Sequence, residues 1–326
     1  MLKLGDITCD VPFFQASLSG YSDRAMRVIA KRYGAPLTLT GVMLDKLAIH
    51  PKAVKKMRFQ PGIDEHPVGA QILGANPDTM AAAAAKFESI GYDLIDLNFA
   101  CPAPKVLRRG RGGALLTKPE LVNRIFRKVR DAVKCPVMMK LRAGFDSSEA
   151  SREDFLRICE ESAKEGVDAL VIHGRTVVQK YRKTADWDIA SQVKQRFPDT
   201  TILGSGDLLD AETVVERIKT SGLDGVIIAR GAIGNPWIFS EARALLEGKP
   251  KPPAPDITEQ GRVLLDHFKM VAEIRPAIKA IRFFRKFAVG YCKRHPQRKK
   301  VQMDIMAAKT YEQMIDAIKQ WYGVDA

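Results

Sequence analysis

Five short stretches of this 326-residue chain carry side chains able to bind, protonate or orient a small polar ligand. Asn98-Phe99-Ala100-Cys101-Pro102 offers an amide and a thiol, while Lys140-Leu141-Arg142 and His173-Gly174-Arg175 each place two cationic or hydrogen-bonding groups two residues apart. Ser205-Gly206-Asp207 and Ala229-Arg230-Gly231 are short turns rich in small residues. A free thiol titrates at about 8.5, so at neutral pH it keeps its proton and can donate it. The i, i+2 spacing puts Lys140 and Arg142 on one side of an extended strand. Charges held there need an anionic or electron-rich ligand, or a structural carboxylate, to offset lost hydration, and the residues alone leave both readings open. Glycine turns let a backbone come close to a phosphate, although each taken alone is ordinary turn chemistry.

Cys101 is one of five scattered thiols, with Cys9, Cys135, Cys159 and Cys292, and no C-x-x-C pair occurs. That pattern argues against a disulfide framework or a metal site and predicts reduced thiols. Position distinguishes Cys101: it follows a predicted strand and precedes residues 105–113, a run too basic and glycine-rich to predict a helix.

These stretches act together only on a scaffold that makes them converge. Apolar, β-rich runs recur at 11–16, 36–40, 67–73, 93–99, 136–141, 168–173, 200–203 and 224–229. Amphipathic stretches at 78–90, 119–133, 152–165, 189–196 and 211–220 lie between them. Such alternation predicts a parallel sheet, and eight units predict the α/β class, a closed (β/α)8 TIM barrel ahead of an open doubly wound sheet. A weak repeat agrees: Gly91-Tyr92-Asp93, Gly166-Val167-Asp168 and Gly222-Leu223-Asp224 each read as a helix end followed by a strand start. All five chemical stretches fall at C-terminal ends of predicted strands, where a TIM barrel assembles its site.

The pattern predicts a barrel over residues 1–248, a proline-rich linker over 249–257 and a small all-α domain over 258–326. From 276 to 294, Ala277, Ile281, Phe284, Ala288 and Tyr291 share one helical face, with Lys279, Arg282, Lys286 and Lys293 on the other. Residues 249–326 carry +8 of the +14 formal charge, which predicts a polyanionic partner, nucleic acid before membrane. No apolar run approaches the roughly 20 residues of a membrane span. No secretory signal is evident either, so a cytoplasmic location is expected.

Four segments together resemble the tRNA-dihydrouridine synthase family. They are Asp96 through Gly110, Val171-Ile172-His173-Gly174-Arg175-Thr176, Ala185-Asp186-Trp187, and Arg230-Gly231-Ala232-Ile233-Gly234-Asn235-Pro236-Trp237. Gly20-Tyr21-Ser22-Asp23-Arg24 is similar to the family's opening flavin loop, and 285–291 to its helical signature. The resemblance implies FMN at the barrel mouth, NADPH as reductant and tRNA as substrate; a monomer without metal is expected. It implies Gln71, Lys140 and His173 around the flavin, with Ser17, Leu18 and Ser19 in the first-strand loop. Ser205, Gly206, Asp207, Ala229 and Arg230 would hold the phosphate. Hydride from the reduced flavin would reach C6 of uracil, and Cys101 would protonate C5. Asn98, Arg142 and Arg175 would meet the substrate, and Lys279, Arg282, Arg285 and Lys286 would dock the tRNA.

The chain departs from the family pattern with Ala16-Ser17-Leu18-Ser19 for Ala-Pro-Met-Ala, Ser205 for Asn, Ala229 for Gly, and Phe287 and Gly290 for His and Trp. Competing readings are an FMN barrel oxidoreductase acting on a small pyrimidine, an rRNA dihydrouridine synthase, and an RNA-binding descendant without flavin.

Overall fold

The computed structural model describes residues 1–54 and 60–325. Eight parallel strands form the barrel: Phe13–Gln15, Thr38–Leu39, Val68–Leu73, Leu94–Asn98, Val137–Arg142, Ala169–His173, Ile202–Ser205 and Gly225–Ile228. The first pairs with both the second and the eighth, which closes the sheet and excludes the open alternative. Helices Pro77–Ser89, Pro119–Ala132, Glu149–Lys164, Asp188–Arg196 and Ala211–Thr220 lie where periodicity predicts them. Asn76, Ser148 and Asp210 cap three of these helices by accepting N–H bonds from Thr79, Ser151 and Thr213.

The Gly-x-Asp repeat has a structural cause. Asp93, Asp168 and Asp224 accept hydrogen bonds from the N–H of Val68, Val137 and Ile202, each on the preceding barrel strand. The carboxylates thus tie neighbouring strands at the end of the barrel away from the site.

Alternation along the strands separates two cores. Phe13, Ile72, Ile95, Leu97, Met139 and Ile172 face the helices, whereas Phe14, Leu94, Met138, Val171, Leu203 and Ile227 fill the barrel. A hairpin absent from the sequence reading, Leu2–Leu4 antiparallel to Ile7–Cys9, adds Leu2, Leu4 and Cys9 to this inner core. The hairpin lies outside the strand-then-helix alternation that marks even the short barrel strands.

After the helix Trp237–Leu246, residues 249–256 hold no regular element, and four helices follow: Ile257–Glu273, Ala277–Cys292, Arg298–Ala307 and Tyr311–Tyr322. They lean on the barrel. Glu259 accepts from Tyr33 Oη at 3.1 Å and from Trp237 Nε1 at 2.7 Å, and the Gly290 backbone runs so close to Ile233 and Gly234 that no side chain fits there. Phe287 sits edge-on to Tyr21 and packs against His267.

Three expectations are corrected. Residues 105–113 are not purely loop, because Pro104 opens the one-turn helix Pro104–Leu107 and a 3-10 helix starts at Gly112. Ala277 is exposed, since the helix meets its neighbours only from Ala280 onward. Lys286 is half-buried rather than on an open face. Among the described residues no helix is long and apolar enough to cross a membrane.

Candidate active site at the barrel mouth

Inward-facing positions change character along each strand. Leu94 is followed two and four residues later by Asp96 and Asn98, Met138 by Lys140 and Arg142, Val171 by His173, and Leu203 by Ser205. The apolar floor therefore gives way to polar groups at the C-terminal end, as barrel geometry requires for a site. Except for the fully buried Asp96, they line a cleft there.

The cleft gathers Cys101, Ser17, Leu18, Ser19, Gln71, Asn98, Lys140, Arg142, His173, Ser205, Gly206, Asp207, Ala229 and Arg230. Arg175, Lys279, Arg282, Arg285 and Lys286 are not among its lining residues. Arg175 is buried behind the wall, where it donates to both Asp207 carboxylate oxygens at 2.9 and 2.7 Å and to the carbonyls of Arg182 and Lys183. The expectation that it meets the substrate is revised: it braces loop 176–184. Arg142 reaches the cleft but commits Nε to Ala100 O and Nη1 to the carbonyls of Thr176 and Lys180.

Loop 176–184 supplies the residue that the sequence reading missed. Tyr181 lines the cleft, is 57% exposed, and its ring lies beneath Arg230 at 4.9 Å and Arg142 at 5.5 Å. It sits outside any periodic element, so the only available signal was its place shortly after His173-Gly174-Arg175.

Electrostatics distinguish the groups. Burial lowers the Lys140 ammonium pKa, opposed by Asp96, and Lys140 Nζ donates to Ser205 Oγ at 3.2 Å. Ser205 thus supplies the acceptor at the position where the family pattern has Asn. Burial also raises the Asp96 carboxyl, opposed by its hydrogen bond from Gln71 and by Lys140. Burial first, then the charges of Lys140, Arg142 and Arg175, depress His173 far below the ordinary imidazole value, so it is neutral at physiological pH. Burial would raise Asp207, but hydrogen bonds from Arg175 and the Ala185 N–H hold it below the usual carboxylate range. Among the described residues, His173 Nδ1 and Ser17 Oγ are buried without hydrogen-bond partners. Such groups carry a desolvation cost that a ligand in the cleft would offset.

Cys101 lies at the rim, half-buried, with its N–H donated to Asn98 Oδ1 at 3.0 Å and its carbonyl accepting from Gly113 N at 3.0 Å. Gly112 turns the chain back at φ 57°, with Cys101 Cβ only 3.0 Å from where its own Cβ would stand. A larger residue would push the thiol away. At the seventh strand end, Gly206 has φ 134° and Asp207 φ 54°, which turns the Asp207 carboxylate onto Arg175 and Arg230.

The cations expected on the helix Ala277–Cys292 divide. Lys279 and Arg282 are exposed, Arg285 donates to Ala308 O at 2.7 Å, and Lys286 donates to Gly20 O.

Comparison with known proteins adds a separate line. A family model described as dihydrouridine synthase matches residues 14–321. A probable tRNA-dihydrouridine synthase of Mycobacterium tuberculosis is 31% identical over 96% of this chain and 82% of its own length. One from Rickettsia prowazekii is 29% identical over 99% and 98%, and tRNA-dihydrouridine synthase B of Pseudomonas putida is 30% identical over 90% and 86%. Among solved structures, morphinone reductase in complex with tetrahydroNAD superposes with TM-score 0.53 at 13% identity, covering 75% of this chain and 90% of that one. At such identity the likeness concerns the fold alone.

Proposed function

This chain belongs to the dihydrouridine synthase family, a family of flavin-dependent oxidoreductases, and from that premise we propose that it reduces the C5–C6 double bond of a uridine in tRNA. The flavin is FMN, and NADPH re-reduces it. The observation that carries the reading is the thiol of Cys101 at the rim of the cleft that also holds Lys140, Gln71 and the neutral His173.

The residues present fit a flavin. A cationic Lys140, the unpartnered Nδ1 of His173 and the Gln71 amide form a donor-rich wall suited to an electron-rich, carbonyl-bearing ring. The turns at Ser205-Gly206-Asp207 and Ala229-Arg230, with Arg230 cationic, suit its phosphate. When bound, the flavin supplies the hydride for C6 of uracil.

The chain's own residues do the rest. Cys101 Sγ–H gives its proton to C5, and the resulting thiolate is reprotonated from solvent at the open rim. Asn98 keeps the cysteine backbone in place while Arg142 and Tyr181 border the space left for the base. A base within folded tRNA must be extruded to reach this depth. The exposed Lys279 and Arg282 hold backbone phosphates while that happens. Residues 1–248 form the catalytic unit and 258–326 the RNA-holding unit of a cytoplasmic monomer.

Flavin reoxidation tests the reading. Protein purified with its flavin, reduced and mixed with unmodified tRNA under anaerobic conditions, should reoxidise as dihydrouridine forms. Reoxidation by a free pyrimidine but not by tRNA would overturn the tRNA assignment in favour of a small-molecule reductase.

A further inference from the structure

Asp96 is fully buried on the fourth strand, faces Gln71 across the third in direct register, and lies two residues below Asn98 on its own strand. A chain of hydrogen bonds runs through these three side chains. Gln71 Nε2 donates to Asp96 Oδ2 at 2.7 Å, and Asn98 Nδ2 donates to Gln71 Oε1 at 2.7 Å. Asn98 Oδ1 then accepts the N–H groups of Ala100 at 3.1 Å and Cys101 at 3.0 Å.

The order of donors is fixed from both ends, by the Asp96 carboxylate and by the Ala100 and Cys101 N–H groups, which only donate. A carboxylate only accepts, so the Gln71 amide must turn its nitrogen to Asp96 and its oxygen to Asn98. Asn98 must then turn its nitrogen to Gln71, leaving its oxygen for the two backbone N–H groups. Reversing either amide would set N–H against N–H or oxygen against oxygen. The Gln71 and Asn98 amides each keep one further N–H uncommitted to these bonds.

We propose that Asp96 is a positioning residue that anchors the Gln71 amide and, through it, the Asn98 amide that holds the backbone of Cys101. The role is one of hydrogen bonding, not volume. Its consequence for substrate choice rests on the function proposed above: amides that turn N–H groups to the cleft favour a ring bearing carbonyls, such as uracil, over one bearing an amino group.

The test reads Cys101 directly and does not depend on uridine being the substrate. In the flavin-loaded protein, alkylation of Cys101 by iodoacetamide is followed by mass spectrometry. Asp96→Asn is isosteric but removes the carboxylate that the Gln71 amide donates to, leaving a neutral amide that can turn either its oxygen or its nitrogen to Gln71, and Gln71→Met cuts the chain while keeping the Asp96 and Lys140 charges. Each should raise the Cys101 alkylation rate about tenfold, the worth of a lost buried hydrogen bond. The double variant Asp96→Asn/Gln71→Glu restores an acceptor opposite Asn98, since an amide at position 96 can donate to a carboxylate at position 71, and should return the rate to within about twofold of wild type. Unchanged alkylation in both single variants, or no rescue in the double variant when all three melt normally, would overturn the proposal.

Discussion

Lys140 at the barrel mouth and Lys286 on the helix Ala277–Cys292 are both lysines whose pKa burial lowers to about 8, yet their surroundings differ. Lys140 faces the cleft and donates to one serine hydroxyl. Lys286 is enclosed by the rings of Tyr21, Phe283 and Phe287 and donates to the Gly20 carbonyl. One cation faces the cleft, and the other latches a C-terminal helix onto the loop that follows Ser17, Leu18 and Ser19. A positive residue on a basic helix is therefore not by that fact an RNA contact. What its ammonium already touches decides its role, and by this measure Lys279 and Arg282 are the open ones.

The largest expected effect lies at the mouth. Cys101→Ala should bind flavin and tRNA as before but form product about 10²- to 10⁴-fold more slowly, the range for loss of a general acid. Undiminished dihydrouridine by mass spectrometry would sink the assignment. Lys140→Met should weaken flavin binding about tenfold to a hundredfold, as expected for a charge-assisted hydrogen bond, whereas Lys286→Met should leave the flavin dissociation constant within a few-fold. Equal losses in a fluorescence titration would erase the contrast between the two lysines.

At the helix, Lys279→Glu with Arg282→Glu should lower the slope of log affinity for tRNA against log salt by about two units, one per phosphate contact. Lys286→Met should leave that slope alone. A drop of one unit in the latter would make Lys286 a phosphate contact after all.

The smallest effect concerns pH. Lys286 titrates at about 8 when folded and at about 10.4 when unfolded. Between those values the unfolded chain binds the extra proton, so folding stability rises with pH across that window. The melting temperature of wild type should therefore climb relative to Lys286→Met from pH 8 to pH 10. A flat difference would mean that the ammonium is better solvated than its ring enclosure indicates.

Much of the site was legible because chemistry and period coincided. Lys140 and Arg142, or Asp96 and Asn98, share a strand face whatever the rest of the molecule does. Arg175 shows where that logic stops. It follows His173 at the spacing of a strand, but the strand ends at His173, so the next turn carries Arg175 out of the cleft to Asp207. Tyr181 shows the converse, a loop residue with no periodicity brought to the mouth because Arg142 and Arg175 grip the carbonyls around it.

The sequence by itself determined the eight-strand alternation, the inward positions on each strand and the basic balance of residues 249–326, because backbone geometry and charge are local properties. Only the tertiary structure decided partners. Arg175 finds Asp207 across 32 positions and Lys286 finds Gly20 across 266. Such pairings exist only once the barrel has closed and the helices have docked, since desolvation and hydrogen-bond geometry then choose which polar groups are satisfied within the chain and which are left facing the cleft.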